Sequence, residues 1–231
     1  MGKHIRTLTV IYNTPITNRE VPLFRGAVLS CMGDRADVLY HNHLGEKSFR
    51  YSYPLIQYKR INGNAAITCV EEGADIIGQF FSEAHPVLSI GEKVLPFEVA
   101  RLQPARILVQ TWKDSFKYKL HRWLPLNSKN FLRYKSLDNE PERIEFLENI
   151  LKGNILSMLK GVGIILEDEL KVNITQLSES YLVYNKGVGM TAYNAEFLCN
   201  LSIPNNLGIG KNASIGCGVI YQERNKQLET T

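Results

Sequence analysis

The sequence predicts an α+β fold in which a β-α-β-β-α-β order is laid down in the first half and begins again in the second. Three observations carry this expectation. Short segments rich in β-branched and aromatic residues are bounded by turn residues. Other segments instead space their apolar residues by three and four, as a helix face does. Asn62-Gly63-Asn64 separates two strand-like runs in the manner of a hairpin turn. This order is the tandem ferredoxin-like (RRM-like, βαββαβ) arrangement, with domains expected over 1–112 and 113–231.

The first strand is expected over 4–12, where Ile5, Leu8, Val10 and Ile11 mix with threonine. Val21-Pro22-Leu23-Phe24 opens a helix, because proline is tolerated in a first turn, and Gly33 closes it. Residues 48–59 (SFRYSYPLIQYK) alternate as a strand, and 65–71 return beside it. Residues 74–81 read as the second helix, and strand-like sequence runs from Val87 to Val109. In the second half, 116–124 (FKYKLHRWL) alternate as a strand with Lys117, Lys119, His121 and Trp123 on one face. Residues 128–136 (SKNFLRYKS) read as a loop. Pro141 then starts a long helix with Leu147, Leu151, Ile155 and Met158 on its apolar side. Two strands follow over 171–177 and 181–201, and a last one over 218–221.

The chain has 231 residues, 44% of them hydrophobic, enough to bury a large core. No apolar run approaches the length that crosses a bilayer, and the start lacks a signal peptide's h-region. A cytoplasmic protein without a membrane partner is expected. The four cysteines (Cys31, Cys69, Cys199, Cys217) include no CxxC pair, so they read as buried thiols in a reducing compartment, with no metal site. A net charge of +4 permits a polyanionic partner without demanding one.

Residues 207–220 (LGIGKNASIGCGVI) hold Gly208, Gly210, Gly216 and Gly218, with Lys211 and Ser214 between them. A glycine-rich loop can turn several backbone N–H groups toward a phosphate, with Lys211 adding charge and Ser214 a donor. The same residues also suit a turn and bulge leading into a last strand. The segment is neither a Walker A motif nor a dinucleotide fingerprint, so no cofactor is implied.

This segment resembles the C-terminal glycine-rich signature of the CRISPR-associated protein six family, the repeat-processing endoribonucleases of the RAMP superfamily. Gly208-Ile209-Gly210 and Ser214-Ile215-Gly216-Cys217-Gly218 fill its places, with Cys217 where an aromatic is usual. Many members carry a helix before this loop. Only about a dozen residues separate Ala195 from Gly208, so that helix is expected to be missing or reduced to a turn.

A second segment, Tyr40-His41-Asn42-His43-Leu44-Gly45-Glu46-Lys47-Ser48-Phe49, resembles the family's catalytic stretch. The resemblance places His41 on the catalytic histidine and Lys47 on an active-site lysine, while the tyrosine of some members falls near Leu29. His43 competes with His41 for the same role. A neutral imidazole, with an ordinary pKa of about 6.5, can take the proton of a ribose 2′-OH. Lys47 would offset charge on the phosphorane. The resemblance implies metal-independent cleavage of CRISPR repeat RNA to 2′,3′-cyclic phosphate and 5′-OH ends.

Arg25, Lys117 and Lys119 are expected to help hold the RNA backbone, beside His121 and Arg122. Each alone is equally at home on a solvated charged face. A non-catalytic RNA-binding RAMP subunit of an effector complex shares the glycine-rich loop and needs no base. A small-molecule enzyme on the same scaffold would need a closed apolar pocket. Other effector subunits are a further class of partner, and monomer and homodimer both stay open.

Overall fold

In a computed structural model, the chain is described over residues 2–32, 43–44, 48–49, 53–76 and 87–223. The first sheet contains β1 (Lys3–Pro15), followed by α1 (Val21–Met32), and two short paired strands, β2 (His43–Leu44) and β3 (Ser48–Phe49), stand apart from it. β4 (Ile56–Ile61) and β5 (Asn64–Val70) form a hairpin, and β6 (Val87–Ile90) with β7 (Lys93–Pro96) forms another. β8 (Val99–Val109) completes a sheet of order β4-β5-β1-β8, antiparallel throughout.

Asn62 and Gly63, at φ 49° and 90°, make the two-residue turn that the Asn-Gly pair predicts. The strand expected over 48–59 is two pieces instead. Residues 53–55 are not strand, and Pro54, which has no N–H, cannot extend the ladder. Residues 72–76 are helical, and the rest of the helix expected over 74–81 lies outside the described residues. The strand-like run from Val87 is broken at Gly91 (φ 63°) into the β6–β7 hairpin before β8.

A turn over residues 17–20 leads into α1, with Thr17 N–H and Oγ1 both donating to Glu20 Oε2 at 2.8 Å. Its buried Phe24 and Val28 meet Val10, Tyr12, Tyr58 and Phe97 in one apolar cluster. The Tyr12 and Phe97 rings stack at 4.0 Å, and Phe24 sets its edge on Tyr58 at 5.6 Å.

Only Gln110 separates β8 from β9 (Thr111–Trp123). Next come α2 (Ser128–Lys135), α3 (Glu140–Gly161), β10 (Val172–Leu177), β11 (Tyr181–Asn185), β12 (Val188–Leu201) and β13 (Val219–Gln222). The second sheet runs β10-β12-β9-β13, with β11 paired to β12. Read in chain order, both sheets have the 2-3-1-4 strand order of the ferredoxin-like domain. No helix stands between β12 and β13, as expected.

α3 is capped by Asn139, which accepts from Glu142 N–H, and carries Pro141 in its first turn. Leu147, Leu151, Ile155, Met158 and Leu159 pack on Tyr118, Leu120, Trp123 and Phe197 of the sheet. Each such side chain contributes about 1.5–3 kcal/mol by leaving water. Ile5, Val70 and Val109 of the first sheet join this same cluster, so the two halves share a core. Cys69, Cys199 and Cys217 are buried and Cys31 is half-buried, all as thiols.

Two elements differ from the sequence reading. Residues 128–135 form a helix, not a loop, because Asn127 caps it by accepting from Asn130 N–H at 2.8 Å. The strand expected over 181–201 is the β11–β12 hairpin, turned at Lys186 and Gly187 with φ 49° and 78°. No helix among the described residues is long and apolar enough to cross a membrane.

Candidate functional site

The glycine-rich segment lies between β12 and β13 and packs on β4. Gln57 Oε1 anchors the contact, accepting from Gly208 N–H at 2.8 Å and from Lys59 Nζ at 2.7 Å. Beside it, Tyr58 N–H donates to Ser214 O at 2.9 Å, and Tyr58 and Ile215 pair as a parallel bridge. Alternation along β4 sends Ile56 and Tyr58 to the α1 side and Gln57 and Lys59 to the other. An alternating strand ordinarily leaves its polar face wet. Here the loop covers it, and both Gln57 and Lys59 are fully buried. Burial pushes the Lys59 ammonium down to about 7.

Geometry demands glycine at several loop positions: Gly210 and Gly216 hold left-handed φ values of 73° and 80°, and two further glycines meet close backbone neighbours. Gly218 sits at φ 62°, where a Cβ would collide with the Ile209 carbonyl. Its N–H donates to Arg122 O at 3.1 Å, and its carbonyl accepts from Ile209 N–H at 2.9 Å. Gly208 has an ordinary φ, yet a Cβ there would lie 2.8 Å from Ala213 O and 3.1 Å from Lys59 Nζ. At the exposed tip stand Gly210 and Lys211. The N–H groups of Lys211, Asn212 and Ser214 have no hydrogen-bond partner among the described residues. The loop therefore sets main-chain donors without an internal acceptor beside an exposed lysine.

Two open clefts flank the loop. One, of about 830 Å³, lies between Thr17–Arg19 of the first half and the β11 strand with Asn212, Ile215 and Cys217 of the second. The other, of about 580 Å³, runs over Arg60, Lys119, His121, Gly216 and Tyr221. Asn18, Arg122 and Tyr181 line both. Among the described residues, neither lining contains an Asp or Glu, while Arg19, Arg60, Lys119, His121 and Arg122 supply positive or titratable groups. In the second cleft, His121 meets Tyr221 edge to face at 5.3 Å. Burial and the Lys119 charge lower the His121 pKa, favouring a neutral ring.

The structure places the sequence-derived residues unevenly. Gly208, Gly210, Lys211, Ser214, Gly216 and Gly218 form one loop, and Lys119 shares the second cleft with Gly216. Lys117 lines neither cleft, and Arg25 is half-buried on α1, also away from both. Lys117 pairs with Glu196 and Glu223 at 2.8 Å each, and Lys119 pairs with Glu223 at 3.0 Å. These contacts hold both ammonium groups above their usual range. Trp123, expected on the lysine face, is fully buried on the other side, its Nε1–H donating to Asn154 Oδ1 at 2.9 Å. His41 and Lys47 lie outside the described residues, and for His43 only the backbone is described, paired in β2 with Phe49. Among the described residues, no three His, Cys, Asp or Glu side chains are grouped to hold a metal ion.

Gln57, Lys59, Arg19 and Arg60 were not singled out by the sequence. The one signal for the first two was a Gln and a Lys two apart, alternating with Ile56 and Tyr58. What covers them comes from residues about 150 positions later.

Comparison with known proteins decides the family. A family model of the Cas6b N-terminal domain matches residues 3–107, and one of the Cas6b C-terminal domain matches 110–223. This chain belongs to the Cas6b family. A crystal structure of Cas6b superposes on it with a TM-score of 0.86 at 30% identity, covering 96% of this chain and 100% of that one. A second, described as the CRISPR RNA processing endoribonuclease Cas6b, gives a TM-score of 0.74 at 28% identity over the same shares. An uncharacterized protein of Methanocaldococcus jannaschii is 42% identical over 111 residues, 48% of this chain and 74% of that protein. A RAMP protein described as binding different RNA substrates shares the fold, with a TM-score of 0.54 at 12% identity. The tandem ferredoxin-like fold of this Cas6b-family chain thus agrees with the sequence reading.

Proposed function

We propose that this chain cleaves CRISPR repeat RNA to release guide RNAs, without a metal ion. The observation that carries the reading is the glycine-rich loop, with Lys211 and N–H groups that have no acceptor among the described residues, at the rim of two clefts whose described lining residues include Arg19, Arg60, Lys119 and Arg122 and no Asp or Glu. A polyanion suits such a surface, and a closed apolar pocket, which a small-molecule enzyme would want, is not what flanks the loop. The chemistry proposed follows the resemblance of residues 40–49 to the family's catalytic stretch. Residues 1–112 would contribute the base, His41 with His43 as the competing candidate, together with Lys47. Residues 113–231 would contribute the loop.

In this reading the loop's N–H groups hold the scissile phosphate in line with the neighbouring 2′-OH, a positioning effect. The imidazole removes the 2′ proton, general-base help of about 10²–10⁴-fold. Lys47 offsets charge on the phosphorane. The products are a 2′,3′-cyclic phosphate and a 5′-OH. The chain would act in the cytoplasm, as a monomer or homodimer, alone or beside other effector subunits.

The test is cleavage of a cognate repeat RNA in EDTA by wild type, His41→Ala, His43→Ala and Lys47→Ala, with analysis of the product ends. The expected result is EDTA-resistant cleavage by wild type and a loss of at least about a hundredfold in His41→Ala. A magnesium requirement refutes the mechanism, and full activity of His41→Ala refutes its role. Tight RNA binding with no cleavage by wild type would identify a non-catalytic RNA-binding subunit instead.

A further inference from the structure

β9 carries one residue too many for its partner. Leu120 faces Ala195 on β12, but Trp123 faces Tyr193, so two residues, His121 and Arg122, stand opposite the single Asn194. This is a β-bulge, and its left-handed position is filled by Arg122 at φ 53°. Glycine is the residue that such a position takes without strain, and a long side chain there is strained. The backbone is held in place at both ends. Arg122 N–H donates to Asn194 Oδ1 at 3.0 Å, and Arg122 O accepts from Gly218 N–H at 3.1 Å. Asn194 is itself fixed, since Oδ1 also accepts from the Tyr181 hydroxyl at 3.1 Å.

The bulge places Arg122 on the rim shared by both clefts, next to the glycine-rich loop. No carboxylate of the described residues pairs with it, in contrast to Lys117 and Lys119 on the same strand. We propose that Arg122 is a phosphate clamp for RNA passing from one cleft to the other, and that the chain tolerates a strained backbone to aim this guanidinium. A planar fork of donors fits two phosphate oxygens at once, which a lysine cannot do. The assignment rests on the RNA-processing reading and deepens it with a positioning residue.

Arg122→Gly separates this role from a structural one, because glycine relieves the backbone while deleting the clamp. Thermal melting and fluorescence anisotropy with a cognate repeat RNA, across salt from about 50 to 300 mM, read both effects. The expected result is a melting temperature equal to or above wild type, with binding roughly tenfold weaker and a salt slope smaller by about one. Arg122→Lys, with its charge in the same backbone setting, keeps the slope. An Arg122→Gly protein that binds with wild-type affinity and slope overturns the clamp alone, as does one whose affinity falls only with a lowered melting temperature. A wild type that does not bind the repeat RNA overturns the clamp together with the RNA-processing reading.

Discussion

Lys59 is fully buried under the glycine-rich loop, with Gln57 Oε1 as its hydrogen-bond acceptor at 2.7 Å. Its ammonium falls from the ordinary 10.5 to about 7, chiefly by desolvation. The unfolded chain therefore binds more protons than the folded one between about pH 7 and 10.5, so stability rises with pH through that window. Below it, a charged lysine stays buried at a cost of roughly 5 kcal/mol, taking 1.36 kcal/mol for each pH unit of displacement. Between about pH 6 and 9.5, wild type should gain roughly 3 kcal/mol from this group, while Lys59→Met gains none from the site. At about 2–4 °C per kcal/mol for a chain of this size, the melting temperatures of the two proteins should converge by roughly 6–12 °C over that range. Denaturant unfolding of both proteins at each pH measures the difference directly. Parallel stability curves, with a constant gap at every pH, would mean that Lys59 keeps an ordinary proton affinity in the fold, and the reasoning would fail.

Gly218→Ala combines a left-handed φ with a collision against the Ile209 carbonyl, and should cost about 2 kcal/mol or more in urea unfolding. A wild-type midpoint would contradict the loop geometry. Glu196→Gln removes a carboxylate that holds Lys117 and Lys119, leaving them freer to meet phosphate. RNA binding should tighten about two- to fivefold at low salt, with the gap closing at high salt. Unchanged affinity at low salt would mean that these lysines do not face the RNA.

The strand order was readable because each half repeats one pattern, and the Asn62-Gly63 turn and the Pro141 helix start are local signals. The β11–β12 turn was equally local, since Lys186-Gly187 is a fair hairpin pair, but the apolar character of Leu182, Val183, Val188 and Met190 masks it. α2 was harder to see. Its eight residues hold only Phe131, Leu132 and Tyr134 as large apolar or aromatic positions, and cation–π contacts tie it to α3, with Arg133 over Phe146 at 5.2 Å and Arg143 of α3 over Tyr134 at 5.7 Å. The bulge at Arg122 left no trace, for FKYKLHRWL alternates well enough to put Trp123 on the wrong face. An extra residue in one strand is defined only by its partner, and the partner lies about 70 residues on. The same holds for the wet-looking face of β4, which a distant loop covers. The glycine-rich loop was legible as a motif, while its anchoring through Gln57 was not.

The bond from Tyr58 N–H to Ser214 O has one more effect. β4 is the outermost strand of its sheet, and an outermost strand exposes main-chain groups that a second protein molecule can zip onto. By occupying that border, the loop for which we propose RNA contact also keeps the sheet from growing through its neighbours. Under the proposed function, a substitution in this loop made to alter RNA contact would also alter the guarding of that border.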